Sequence, residues 1–379
     1  MPAVVGALAG AVPPRATDPM PCLPACRLLV PLVLLLLAAC WPAATGAMDL
    51  YTGEALVASQ DSAERERAVG PALAQVLVKV SGDPRVGQHP GIDAELAQAA
   101  ALMLRFGYRQ EPTSVAGQAS NRLWLQAEFD RAGVDALLAR AGVAQWGTER
   151  PLTLVWLVID DGRAKTIASA SQVAALGALT GAAQQRGIQV QLPAVDSEDL
   201  SRIGPEELWS GGGEKAYAAA QRYGARAALV ARLAHSGTGW TGRFTLVDSG
   251  GSSDWSASYL DSSSVLAAAA NGLADRLAQR FSIAPGDRVV ADHHVVVEGV
   301  DGPSDYGRVI DYLGGMTAVG AVFPEGAEGD RLLLKLTLNV GLARFGQMLA
   351  LGDVLEMDAI ADAAADPDHG APTRLRVRR

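Results

Sequence analysis

The sequence predicts a multidomain protein of mixed α+β and α/β architecture, three folded units behind a leader, on three observations. Hydrophobic residues make up 49% and charged residues 19% of the 379, enough apolar material for sizeable cores and too little charge for a disordered chain. Apolar periodicity switches repeatedly between helical spacing and strand alternation along the chain. All three cysteines, Cys22, Cys26 and Cys40, fall in the first forty residues, so the body beyond them has no disulfide, zinc-thiolate site or Cys nucleophile.

Residues 1–47 read as an upstream segment plus a signal peptide. Arg27 leads into the apolar run Leu28–Ala39, which has the length of a secretory h-region, whereas crossing a bilayer takes about 20 residues. Met20 makes a better start than Met1, because it leaves a short segment carrying Arg27. Two processing outcomes stay open. Leu37-Ala38-Ala39-Cys40 has the form of a lipobox with Cys40 as the lipid-bearing residue, and Thr45-Gly46-Ala47 offers small residues for ordinary cleavage before Met48. The first gives membrane contact through lipid, the second a soluble product. Pro31 and Pro42 argue against a buried structural helix here.

Residues 50–147 form the first predicted unit, α+β in class. Asp61 and Glu64 have the spacing of a capping box, and Val69, Leu73, Val76, Leu77 and Val80 recur at helical spacing up to Gly82. Pro71 inside that helix predicts a kink or break. A second helix follows through Ile92, Leu96, Ala99 and Met103. Leu123, Leu125, Ala127 and Phe129 alternate with Arg122, Trp124, Gln126 and Glu128 as a half-buried strand, and Val134, Leu137, Leu138 and Ala141 mark a closing helix.

Residues 151–283 form the middle unit. Leu152–Ile159 is a continuous apolar run, which suits a strand covered on both faces and hence a parallel sheet. A helix over 166–186, a strand at 187–192, a helix near 213–222 and a strand at 225–234 continue a β-α-β-α-β order. Trp240, Gly242, Phe244 and Leu246 then alternate as an antiparallel strand, another strand follows near 253–259, and Val265, Ala269, Leu273, Leu277 and Phe281 place a long helix. Residues 292–358 give strand, helix, two strands, helix and a final strand near Val354, the β-α-β-β-α-β order of a ferredoxin-like unit. Residues 359–379 show no apolar period and are predicted to be a disordered tail.

Chemistry is sparse. Lys and Arg number 32 against 41 Asp and Glu, a net charge of −9, which argues against a nucleic-acid partner. Gly237-Thr238-Gly239-Trp240-Thr241-Gly242 fits G-x-G-x-x-G, but a strand follows where a dinucleotide site needs a helix, so the glycines read as a hairpin turn. Gly211-Gly212-Gly213-Glu214-Lys215 lacks phosphate-loop spacing, with Ala216 in the hydroxyl position, and reads as a linker and helix start. In Asp292-His293-His294 the adjacent histidines point to opposite faces of a strand and suit no shared metal. None of the five histidines lies in H-E-x-x-H, and G-x-S-x-G is absent, so no nucleophile-and-base constellation and no cofactor site is expected.

Asp160 and Asp161 remain as the candidate ligand site. They close the buried strand at its carboxyl end, where open α/β sheets place ligands, and two carboxylates could hold Mg²⁺; a turn over Asp160-Asp161-Gly162 is the competing reading. Trp124, Trp146, Trp156, Trp209, Trp240 and Trp255 either pack cores or line a groove for cell-wall glycan.

Leu50-Tyr51, the segment Ala72–Asp83 ending in Ser81-Gly82-Asp83, Phe129-Asp130, Trp146-Gly147, Arg150-Pro151, Trp156 and Tyr223-Gly224-Ala225 together resemble the bacterial exported proteins called domain of unknown function 2066, over most of residues 50–281. That resemblance implies no activity and no catalytic residue, and Pro71 departs from it. The middle unit is also similar, by element order alone, to the amino-terminal domains of the Tol-Pal translocation protein and of envelope lipoproteins, which implies protein contacts at the envelope. The expected function is that of an exported, non-catalytic scaffold or adaptor, periplasmic or lipid-anchored at Cys40, with unidentified envelope proteins as partners. The alternatives are a metal-dependent or small-ligand enzyme using Asp160 and Asp161, and a glycan-binding module.

Overall fold

The computed structural model describes residues 49–115, 118–171, 176–357 and 372–378. The predicted leader, with Cys40 and both cleavage sites, lies outside them, as does residue range 358–371. Among the described residues ten α-helices and three sheets, one antiparallel and two mixed, make a mixed α+β fold, and no helix is long and apolar enough to cross a membrane.

The first sheet is antiparallel in the order β1-β3-β2, with β1 at Thr52–Val57, β2 at Met103–Val115 and β3 at Gln118–Phe129. Helix α1 (Ser62–Ser81) lies across its inner face, burying Ala72, Leu73, Val76 and Leu77 against Ala55, Leu125, Ala127 and Phe129. Ile92 of α2 (Ile92–Ala97) and Val134, Leu137 and Leu138 of α3 (Arg131–Arg140) complete this core, so the helical period in the sequence is the one that packs.

Three local expectations need correction. Helix α1 runs unbroken through Pro71, because Pro71 is exposed and the Arg67 carbonyl it leaves unbonded faces water. Asp61 is the N-cap residue but its side chain caps nothing; Glu64 reaches past it to the Ala58 N–H at 3.1 Å and to Arg67, so the capping box does not form. The second helix stops at Ala97, and after a 3-10 turn over Ala99–Leu102 Met103 opens β2. The apolar pattern does not announce that strand, since Gly107 and Pro112 interrupt it and much of it is exposed.

In the middle unit β4 (Thr153–Asp160) and β7 (Ala227–Ser236) pair in parallel at the centre of a sheet ordered β5-β4-β7-β8-β9, with β5 at Lys165–Ile167, β8 at Gly239–Asp248 and β9 at Gly251–Tyr259. The short β6 (Val190–Gln191) also pairs β4 in parallel. On one face α4 (Gly177–Gln185) and the long helix at Ser262–Phe281 bury Leu179, Leu273 and Leu277 against Val155, Leu157 and Leu229. On the other, after α5 (Ser197–Arg202), helices α6 (Pro205–Ser210) and α7 (Gly213–Ala220) cover Leu154, Trp156, Val158 and Val230. Coverage from both sides is why Thr153–Val158 is buried throughout, as the apolar run predicts. The long helix becomes α8.

The helix predicted over 166–186 is a misreading of two elements. Gly162, at φ 82°, turns the chain back so that β5 pairs antiparallel with the end of β4, and α4 starts only at Gly177. The G-x-G-x-x-G segment is a hairpin turn: Gly237 has φ 60° between paired Ser236 and Gly239, and β8 follows.

The third unit has β10 (Ala291–Glu298), α9 (Pro303–Gly315), β11 (Val319–Glu328), β12 (Arg331–Leu338), α10 (Leu342–Leu349), β13 (Leu355–Met357) and β14 (Thr373–Val377), with sheet order β11-β12-β10-β14-β13. It departs from the predicted β-α-β-β-α-β unit at its far side. Strand β14 runs parallel to β10, with Val295 beside Thr373 and Val297 beside Leu375, and the expected last strand, β13, is displaced to the edge. The predicted disordered tail therefore contributes a strand. Thr373, Leu375 and Val377 are buried while Arg374 and Arg376 point outward, an alternation too short to register beside a run of arginines.

Candidate functional site

The two aspartates close the turn after β4. Asp160 Oδ1 accepts from the Gly162 N–H at 2.9 Å, and Asp161 Oδ1 accepts from the N–H groups of Arg163 and Ala164, each at 2.8 Å. Those backbone donors hold the Asp161 carboxyl below its ordinary range. Among the described residues no group of three His, Cys, Asp or Glu side chains stands close enough to hold a metal ion. His294 Nδ1 lies 3.0 Å from Glu325, and Asp292 accepts from Thr337 at 2.7 Å and pairs with Lys335 at 2.8 Å. The Asp292–His294 segment is thus absorbed into cross-strand pairs of an open sheet face.

The tryptophans do not share a groove. Trp146 and Trp156 are fully buried. Trp124 donates to Glu111 at 2.7 Å, Trp240 meets His235 edge-on, and Arg276 stacks 4.0 Å over Trp255. Trp209 lies between Lys165 and Arg243, 5.7 and 5.5 Å from its ring.

A group of buried ionisable side chains instead gathers between the three sheets, around the segment Trp146–Arg150. Arg150 stacks 3.9 Å over the Trp146 ring and donates to five backbone carbonyls: Lys79 at 2.5 Å, Trp146 and Gly147 at 2.9 Å, Arg186 at 3.1 Å and Gly187 at 2.7 Å. Lys79 lies in the last turn of α1, and Arg186 and Gly187 follow α4. A guanidinium between two helix carboxyl ends is stabilised by their unpaired carbonyls and dipoles, without a bonded carboxylate. Burial still pushes it down to about 9. The local sequence explains the approach: Gly82, at φ 74°, caps α1, and a Cβ there would overlap Ala278 and stand 2.9 Å from Trp146 Cε3.

Arg186 binds the same junction from the middle unit. Its Nη2 donates to the Gly82 carbonyl at 2.8 Å and to Asp275 at 2.7 Å, and Nη1 reaches Asn271 Oδ1 at 3.1 Å. Glu149 connects the third unit, accepting from the Thr317 N–H at 2.9 Å through Oε1, while Oε2 is buried with no partner. Desolvation raises the Glu149 carboxyl above its ordinary value, opposed by Arg131 and Arg150. Thr148 and Arg131 both donate to the Gly315 carbonyl, at 3.1 and 3.0 Å. The segments Ser81-Gly82-Asp83 and Trp146-Gly147 and the side chain of Arg150 converge here. Arg186 and Glu149 carry no signal in the sequence beyond being charged.

Two clefts stand out, the first of them beside this junction. One, of about 560 Å³, lies between the Ser81–Arg85 loop, Asp275 and Gln279 of α8, Asp287 and Arg344. The other, of about 630 Å³, is lined by Arg226, Glu298, Asp330, Glu356, Arg376 and Arg378, with Glu298 3.6 Å from Arg376 and Glu356 3.5 Å from Arg378. Asp160 and Asp161 line neither, and among the described residues neither contains a histidine or cysteine.

A family model matches residues 44–147, and its description is a domain of unknown function, DUF8605. This overturns the resemblance to domain of unknown function 2066, since the family that matches is a different one. The match covers the first unit and ends at Gly147, inside the junction segment. No curated protein and no solved structure matches the chain.

Proposed function

We propose that this chain is an exported, non-catalytic adaptor of the cell envelope, released to the periplasm or lipid-anchored at Cys40, which holds partner proteins in a fixed relation. What carries the reading is the use made of Arg150. The Arg150 guanidinium lines neither of the two clefts described and binds backbone carbonyls from three segments of chain. Arg186 and Glu149 act alike. Ionisable groups committed to holding units together suit a protein whose task is the relative placement of its surfaces. The likeness of the middle unit to amino-terminal domains of the Tol-Pal translocation protein, and of residues 292–358 to a ferredoxin-like unit, belongs to the same proposal and rests on element order.

In-cell crosslinking of the full chain, followed by identification of the captured proteins, tests the adaptor role. Reproducible capture of envelope proteins supports it, and capture of none under conditions that trap established envelope complexes overturns it. Intact mass of the membrane-extracted chain separates a diacylglyceryl Cys40 from an amino terminus at Met48. Recovery of only the unprocessed chain from the cytosol refutes export.

A further inference from the structure

Strand β2 is an outer strand of the first sheet, and its free side is built to be paired. Val115 pairs with Gln118 across a two-residue connection, so the odd-numbered residues back to Arg105 exchange backbone bonds with β3. The backbone groups of Phe106, Tyr108, Gln110 and Pro112 therefore point to the side that no strand occupies among the described residues. The register slips between Met103 and Arg105, and Pro112 has no N–H to give. Between these two stops lies an open ladder from Phe106 to Gln110, with Leu104 at 65% and Phe106 at 47% exposure beside it.

The other long edges are blunted, as edge strands of soluble proteins usually are. In β9 the Asp254 carbonyl accepts from Arg276 at 3.1 Å. In β11 Pro324 and two register shifts break the line. In β1 the Glu54 N–H donates to Gln75 Oε1 at 2.6 Å. Strands β5 and β13 are three residues long.

We infer that β2 pairs antiparallel with β2 of a second copy of this chain, about a two-fold axis through Tyr108. The sequence of the edge is self-complementary in that register and in no neighbouring one. Centred on Tyr108, Arg105 stands opposite the partner's Glu111 twice over, on the outer face, at the close pairs of the ladder. On the inner face Phe106 and Gln110 are opposite, and Tyr108 meets its own copy beside Phe106, with which it already packs edge-to-face at 6.0 Å. The bulge at Leu104 falls opposite Pro112, so both stops terminate the ladder together after about six backbone hydrogen bonds.

Centring on Gly107 sets Arg105 against Arg109, and centring on Arg109 sets Arg109 against itself. Centring on Gln110 puts Pro112 inside the ladder. The contact is isologous, closes at two copies, and joins two three-stranded sheets into one of six. It stands independently of the adaptor reading.

Sedimentation of the full chain from about 1 μM to about 100 μM measures the association. A monomer–dimer equilibrium is expected, and Tyr108→Pro weakens it at least tenfold, because the lost N–H serves no bond within the chain. Oxidation tests the register without relying on that variant's folding. With Cys22, Cys26 and Cys40 changed to serine, Tyr108→Cys forms a disulfide-linked dimer, since directly opposed residues of such a pair lie about 5.5 Å apart at Cα. Gln110→Cys does not, because its copy is four residues away along the ladder. A chain that stays monomeric throughout, or one that crosslinks through Gln110→Cys and not Tyr108→Cys, overturns the inference.

Discussion

Arg186 and Gly82 meet across the boundary between the first and middle units, the Arg186 Nη2 donating to the Gly82 carbonyl at 2.8 Å while it also binds Asp275 at 2.7 Å. Gly82 ends α1 and Asp275 lies on α8. One planar fork thus fixes the carboxyl end of one helix against the flank of another, a geometry that an ammonium group does not reproduce.

Arg150→Lys tests the same principle at the guanidinium that binds the most backbone carbonyls. The lysine has the charge but not the fork, so several of the carbonyls on Lys79, Trp146, Arg186 and Gly187 lose their donor. Each buried group left unbonded costs about 1–3 kcal/mol. Urea unfolding is expected to show a loss of about 3 kcal/mol or more, and a loss below about 1 kcal/mol would mean that water replaces the guanidinium freely.

Gly82→Ala destabilises for two separable reasons. The left-handed backbone at φ 74° strains any residue with a Cβ, and the added methyl overlaps Ala278, together about 2 kcal/mol or more. Ala278→Gly removes the overlap with residue 278, but neither the strain nor the 2.9 Å approach to Trp146 Cε3. In a double-mutant cycle the second change should recover part of the first, with a coupling of about 1 kcal/mol. Strict additivity would show that the two helices do not press on each other there.

Glu149 makes stability depend on pH. Its carboxyl is raised above the ordinary value, chiefly by burial, so the native chain keeps that proton where the unfolded chain has released it. The contribution is complete below the ordinary carboxylate range and is lost as pH rises through the raised value. Glu149→Gln retains an oxygen for the Thr317 N–H and cannot ionise. The stability of the wild type minus that of the variant should fall as pH increases from about 4, by at most about 1.4 kcal/mol per pH unit. Unfolding curves at a series of pH values measure it, and a difference that stays flat removes Glu149 as the titrating group.

The middle unit was largely legible, and the reason is burial on both sides. Continuous apolar runs mark β4 and β7 and a four-residue apolar spacing marks α8, where packing and sequence pattern coincide. What stayed hidden is half-exposed or short. The exposed Pro71 is tolerated because solvent takes up its orphan carbonyl, and Lys165–Ile167 is too brief to show any period. The junction was invisible for another reason: Arg150 and Arg186 are buried by main-chain carbonyls, and no residue type advertises a carbonyl. Asp160 and Asp161 were visible as a pair, but a pair of aspartates before glycine writes a turn and a ligand site in the same letters.

Asp161→Ala distinguishes those two meanings locally. Removing the acceptor shared by the Arg163 and Ala164 amides should speed their hydrogen exchange several-fold and leave that of Leu154–Val158 unchanged. Unaltered exchange at residues 163 and 164 would show that the carboxylate does not hold the turn.

Strand β14 has a consequence for synthesis. It lies between β10 and β13 and is the strand on which β13 pairs, so a nascent chain made only as far as Met357 has β10 with an open flank and β13 with nowhere to bond. Premature termination anywhere from codon 358 to codon 372 therefore yields an unclosed sheet with a naked margin, prey for quality-control proteases, rather than a slightly shortened but serviceable protein.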